Sequence, residues 1–96
     1  MMHIDFYGKN IDLTPALKQY VEEKLERLEK YAQTISYAKV TFERSKHHRR
    51  GEIATAHIQL TTPKGEVSAK EEAFDFRAAV DLVQEKLERQ FGKKTK

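Results

Sequence analysis

Leu17, Val21, Leu25 and Leu28 recur at intervals of three and four residues, which lines them up along one side of a helix and obliges the rest of the chain to cover them. The helix start is marked by Thr14-Pro15, a capping hydroxyl followed by proline at the first helical position, where a missing N–H costs nothing. It is expected to run to about Tyr31. The cover comes from runs of period two. Met2, Ile4 and Phe6 alternate with His3, Asp5 and Tyr7 before the helix, and Ala38, Val40 and Phe42 alternate with Lys39, Thr41 and Glu43 after it. Ala54, Ala56, Ile58 and Leu60 alternate with Thr55, His57 and Gln59, and Thr62-Pro63-Lys64-Gly65 supplies a turn before Val67 and Ala69, which predicts a hairpin. A second helix begins near Asp75, places Phe76, Ala79, Val80, Val83 and Leu87 on one face, and is expected to stop about Phe91-Gly92. The order β-α-β-β-β-α predicts an α+β domain of two layers, a four-stranded sheet with both helices on one face and a polar far face.

The chain has 96 residues, enough for one core, and residues 1–92 are expected to form that single domain with 93–96 as a short basic tail. It has no cysteine, so disulfides, thiolate metal sites and cysteine nucleophiles are excluded. No apolar run is long enough for a signal peptide or a membrane span, which predicts a cytoplasmic protein without a membrane partner. Catalysis has little to work with. His3, His47, His48 and His57 are the only imidazoles, no serine sits in a nucleophile elbow, and no glycine-rich phosphate loop occurs. Neither a metal nor another cofactor is expected, and a hydrolase built on His57 and Asp5 is the least supported reading.

The net charge is only +3, so the placement of charge decides more than its sum. KLER occurs twice, at residues 24–27 and 86–89. Around the second helix, at about 100° per residue, Lys86, Arg89 and Lys93 fall within about 60° of one another, while Asp81, Glu85 and Glu88 gather mostly elsewhere. In the first helix Lys24 and Arg27 form a similar pair, with Lys30 mixed among Glu22, Glu23, Glu26 and Glu29. Pairs such as Glu85 with Arg89 also read as ordinary helix chemistry worth about 0.2–0.5 kcal/mol each. Accumulation favours a phosphate partner. The loop 44–50, RSKHHRR, holds Arg44, Lys46, Arg49 and Arg50 without an acid, and the C-terminus adds Lys94 and Lys96. Tyr7, Tyr37 and His57 are candidates for stacking on bases from the strands, against the plainer role of covering the core's edge.

The stretches LTPALKQYVEEKLERLEKY and DFRAAVDLVQEKLERQFGKK resemble the two helices of the ribosome hibernation promoting factor and ribosome-associated inhibitor A family. The second carries the pattern Asp75, Ala78, Ala79, Val80, Asp81, then Lys86, Leu87, Arg89 and Gln90, and the TPKG hairpin also fits. The resemblance implies a fold similar to double-stranded-RNA-binding domains, lodged in the small ribosomal subunit and competing there with mRNA and tRNA. Recognition is then expected through rRNA phosphates, with inhibition of translation during stress or stationary phase and no catalysis. Carried over residue by residue, the rRNA-facing positions are Lys24, Arg27, Lys86, Arg89 and Lys93, with Lys30 matching some members; Lys94 is added from the basic C-terminus. Arg77 stands where the family commonly has tyrosine. The loop with Arg44, Lys46, Arg49 and Arg50 is more basic than the family's usual one, and these residues with Arg77 are possible further contacts. The chain looks like a short form, monomeric when free. The rival reading is a protein-interaction module that pairs through the acidic helix faces or an exposed sheet edge.

Overall fold

The computed structural model describes residues 3–31, 35–47 and 51–94; for Tyr31, His47 and residues 91–94 the description covers the backbone alone. The elements are β1 (His3–Lys9), α1 (Pro15–Tyr31), β2 (Tyr37–His47), β3 (Gly51–Thr62), β4 (Gly65–Ala73) and α2 (Phe76–Lys94). They form one four-stranded sheet in the order β1-β2-β3-β4, parallel between β1 and β2 and antiparallel elsewhere. The parallel pair follows from the α1 crossover, which returns the chain to the same end of the sheet.

Register sorts the side chains into two faces. Phe6, Val40, Ile58 and Ala69 form one row across all four strands, and Ile4, Ala38, Leu60 and Val67 form the next. These rows meet Val21, Leu25 and Leu28 from α1 and Ala79, Val80, Val83 and Leu87 from α2 in a single buried core. Phe42 and Phe76 close one end of it, edge to face with ring centroids 5.3 Å apart. α2 lies over β3 and β4, and α1 lies beside α2.

Both helix starts are capped as the sequence indicates. The Leu17 N–H donates to Thr14 Oγ1 at 3.1 Å, and the Ala78 N–H donates to Asp75 Oδ1 at 2.8 Å. In the hairpin, Thr62 Oγ1 accepts the Lys64 N–H at 3.2 Å and donates to the Gly65 carbonyl at 2.8 Å. Gly65 takes the positive φ of 124° that lets β4 leave the turn.

Two expectations are corrected. Residues 44–47 are not loop: β2 runs through Arg44 and Lys46 to His47, paired with Gly51–Ala54 of β3, because a long hairpin gives these polar residues ladder partners. His48, Arg49 and Arg50 lie outside the described residues. The helix stop expected at Gly92 is also absent, since α2 continues to Lys94. Glycine ends a helix only where the chain turns into a left-handed conformation, and here Lys93 and Lys94 prolong the helical path.

Candidate nucleic-acid interface

A lysine of α1 and an arginine of α2 meet over one ring at the seam between the helices. Tyr20 OH donates to Asp81 Oδ1 at 2.5 Å, so the phenol bridges the two helices. Lys24 Nζ lies 5.1 Å from the Tyr20 ring centroid, and the Arg77 guanidinium lies 5.3 Å from it. The hydrogen bond to Asp81 and burial raise the Tyr20 pKa, while the positive fields of Arg77 and Arg27 oppose them. Lys24 and Arg77 therefore lie against the Tyr20 ring, and the charge of Arg27 also reaches its hydroxyl. Lys24 reaches Asp81 at 3.5 Å and its side chain is only 21% exposed, whereas Arg27 and Arg77 stand in solvent.

Arg77 extends this group toward the helix starts. It shares with Arg44 an open cleft of about 930 Å³ between the N-termini of α1 and α2. Arg44 stacks on Phe76 at 5.4 Å and sits 3.9 Å from Glu52, and its backbone carbonyl accepts Asn10 Nδ2 at 3.4 Å. Asp12 and Asp75 line the same cleft, so its charge is balanced.

The second KLER segment is placed differently. Lys86 is ion-paired with Glu71 of β4, and Gln90 Nε2 donates to the Ser68 carbonyl at 2.9 Å, so this side of α2 is fastened to the last strand. Lys86 stands about 140° around α2 from Asp81, which faces the α1 seam. Lys24 and Lys86 thus occupy opposite flanks of α2. Arg89 is exposed between them on the outer surface, as is Lys30 in the last turn of α1. Lys46 is exposed near the end of β2. The side chains of Lys93 and Lys94 lie outside the description, although their backbone continues α2.

The tyrosine candidates also separate. Tyr37 OH donates to Asp5 Oδ2 at 2.9 Å and its ring stacks on His3 at 5.8 Å, so it is already engaged. Tyr7 is 48% exposed. Spacing along the helices located Lys24, Arg27, Lys86 and Arg89, yet it missed that Glu71 and Asp81 hold two of them. The partner of Lys86 lies on another element, and alternation along β4 puts Glu71 on the inward face without showing which helix residue it meets.

Residues 4–96 match the family model described as Sigma 54 modulation protein / S30EA ribosomal protein. The chain belongs to this family. The membership bears out the resemblance read from the two helices. A ribosome hibernation promoting factor of Azotobacter vinelandii is 38% identical over 92 residues, covering 96% of this chain and 81% of that protein. A ribosome hibernation promotion factor of Deinococcus radiodurans is 37% identical over 89 residues, covering 90% of this chain and 45% of that longer protein. Among solved structures, a ribosomal subunit interface protein from Coxiella burnetii superposes with a TM-score of 0.81 at 30% identity, over 98% of both chains. The S30EA fold is therefore the fold of this chain. Among the described residues no helix is long and apolar enough to cross a membrane.

Proposed function

We propose that this chain is a ribosome hibernation factor that binds the small ribosomal subunit through rRNA phosphates and occupies the path of mRNA and tRNA. The observation that carries the reading is the cationic group at the α1–α2 seam, Lys24, Arg27 and Arg77 around Tyr20, in a chain whose relatives are named for ribosome hibernation. Arg89 and Lys30 add to that helix side, Lys86 joins it when a phosphate replaces Glu71, and Lys93 and Lys94 are further contacts of the basic C-terminus. Arg44 and Lys46, with Arg49 and Arg50, supply outlying contacts. Phosphate recognition by point charges suits a structured RNA, whose fixed backbone offers shape and charge and whose duplex grooves offer little readable sequence. The protein acts by occupation, without a catalytic step or a cofactor, in the cytoplasm where ribosomes work. Translation stops because the decoding path is filled, which suits stress or stationary phase.

The test is cosedimentation of the full chain with purified small subunits at two salt concentrations. Binding is expected to weaken steeply with salt, since each phosphate contact contributes about 0.9 to the logarithmic slope. A shallow slope with retained binding would instead favour a protein partner held through the acidic helix faces or a sheet edge.

A further inference from the structure

The sheet face turned away from both helices carries a second basic centre. Register sets Tyr7, Thr41, His57 and Lys70 in one row across the four strands, with Lys39 and Gln59 adjacent in the next. Lys39 Nζ lies 5.4 Å from the Tyr7 ring centroid. Burial and then the charges of Lys70 and Lys39 push the His57 pKa below its ordinary value, so both ammonium groups act on the imidazole from neighbouring strands.

The acids of this face do not neutralise that centre. Asp5 accepts from His3 Nε2 at 3.0 Å and from Tyr37 OH at 2.9 Å, and Glu43 faces Lys9 at 3.8 Å. Glu66 and Glu72, which flank Lys70 on the β4 side of this face, are exposed and make no ion pair with it among the described residues. Lys39 and Lys70 have no carboxylate within ion-pair distance among the described residues. Two unpaired ammonium groups flanking a neutral imidazole form a place for an anion, and the exposed Tyr7 ring beside them offers a π-face. A single nucleic-acid strand presents that combination, a phosphate followed by a base free to stack. A duplex does not, because its bases are stacked internally and a flat sheet reaches into neither groove. A second copy of this chain set face to face would bring the same lysines against one another.

We propose that the open face of the sheet binds single-stranded RNA, with a phosphate between Lys39 and Lys70 beside His57 and a base stacked on Tyr7. This surface is separate from the helix side and stands without it.

The test uses the full chain and a short fluorescein-labelled oligouridylate, followed by fluorescence anisotropy at two salt concentrations. Wild-type protein is expected to bind, Tyr7→Leu to weaken binding about tenfold or more, and Tyr7→Phe to bind as wild type. Lys39→Gln with Lys70→Gln should reduce the logarithmic salt slope by about 0.7, the loss of one neutralised phosphate on a single strand. The helix variant Lys86→Gln with Arg89→Gln should lower oligouridylate affinity less than the sheet variants do. Proton resonances of the His57 ring should show its pKa rising when the oligonucleotide is added, a readout that needs no variant to fold. Absence of wild-type binding, or loss in the helix variant with retention in the sheet variants, would overturn the proposal. So would an RNA duplex that competes as well as the single strand, or a concentration-dependent dimer abolished by Tyr7→Leu. Loss of small-subunit cosedimentation alone, with oligouridylate binding intact, would count against the helix-side reading and leave this one standing.

Discussion

Tyr20 does two jobs with one side chain: its hydroxyl ties α1 to Asp81 of α2, and its ring gathers Lys24 and Arg77. If the seam binds rRNA as proposed, structure and binding are coupled at Lys24 and separable at Arg27. Tyr20→Phe should keep the ring but lose a hydrogen bond to a carboxylate, lowering stability by about 1–2 kcal/mol in urea unfolding. Arg27→Gln should leave the unfolding midpoint unchanged and weaken cosedimentation with small subunits, whereas Lys24→Gln should move both. Equal stability loss in the two lysine and arginine variants would show that the seam is only a packing device. Tyr37 gives a pH signature of a different kind. Its hydrogen bond to Asp5, with burial and the Asp5 charge, pushes its pKa from 10.0 up to about 12. Because the folded value is the higher one, the protonated phenol stabilises the fold fully below pH 10, and that contribution is lost as pH rises from 10 to about 12. Tyr37→Phe should remove this alkaline decline in the thermal midpoint, and ultraviolet difference absorbance should show one fewer late-ionising tyrosine.

At the scale of elements, the six segments and their order were legible because each carries a clean period, 3.6 for Leu17 to Leu28 and 2 for Ala38 to Phe42. The caps Thr14 and Asp75 were legible for the same local reason. What could not be read locally was partnership. The polar residues 44–47 resemble a loop until β3 supplies their ladder partners, and Gly92 resembles a stop although α2 continues beyond it. The same gap hid the role of Glu71, which the alternation of Val67 and Ala69 puts on the inward face without saying what it meets there. Register sets it opposite Ala56, where it holds Lys86. The two KLER copies are therefore not one device repeated, since the first lysine serves the α1 seam and the second fastens α2 to β4. Glu71→Gln is expected to free Lys86 and tighten small-subunit binding severalfold, steepening the salt slope by as much as one contact's worth, about 0.9. Lys86→Gln with Arg89→Gln should do the opposite by up to about twice that amount. An unchanged affinity in Glu71→Gln would show that Lys86 keeps to β4 even on the ribosome.

The whole molecule is a slab 42 × 26 × 18 Å, with cations concentrated on the helix layer and a second, smaller basic centre on the open sheet. A body of this size with basic side chains on both broad faces is suited to a cleft walled by RNA, where each face meets phosphate, more than to a single flat wall. The site proposed above, the path that mRNA and tRNA follow through the small subunit, would be such a cleft, and two occupants of one volume exclude each other whatever their affinities. Prebound mRNA and tRNA are therefore expected to reduce binding of this chain to small subunits, and raising the chain's concentration should restore binding without a plateau below full occupancy. A true competitor shifts the midpoint of the binding curve and leaves its endpoint alone, while a remote site coupled through the ribosome reaches a limiting shift set by the coupling energy. In translation assays the same exclusion predicts an order of events. Initiation on vacant ribosomes should be inhibited strongly, and elongation on ribosomes already loaded should proceed until they run off and become vacant. Equal inhibition of both, or binding indifferent to tRNA, would place the chain outside the decoding path.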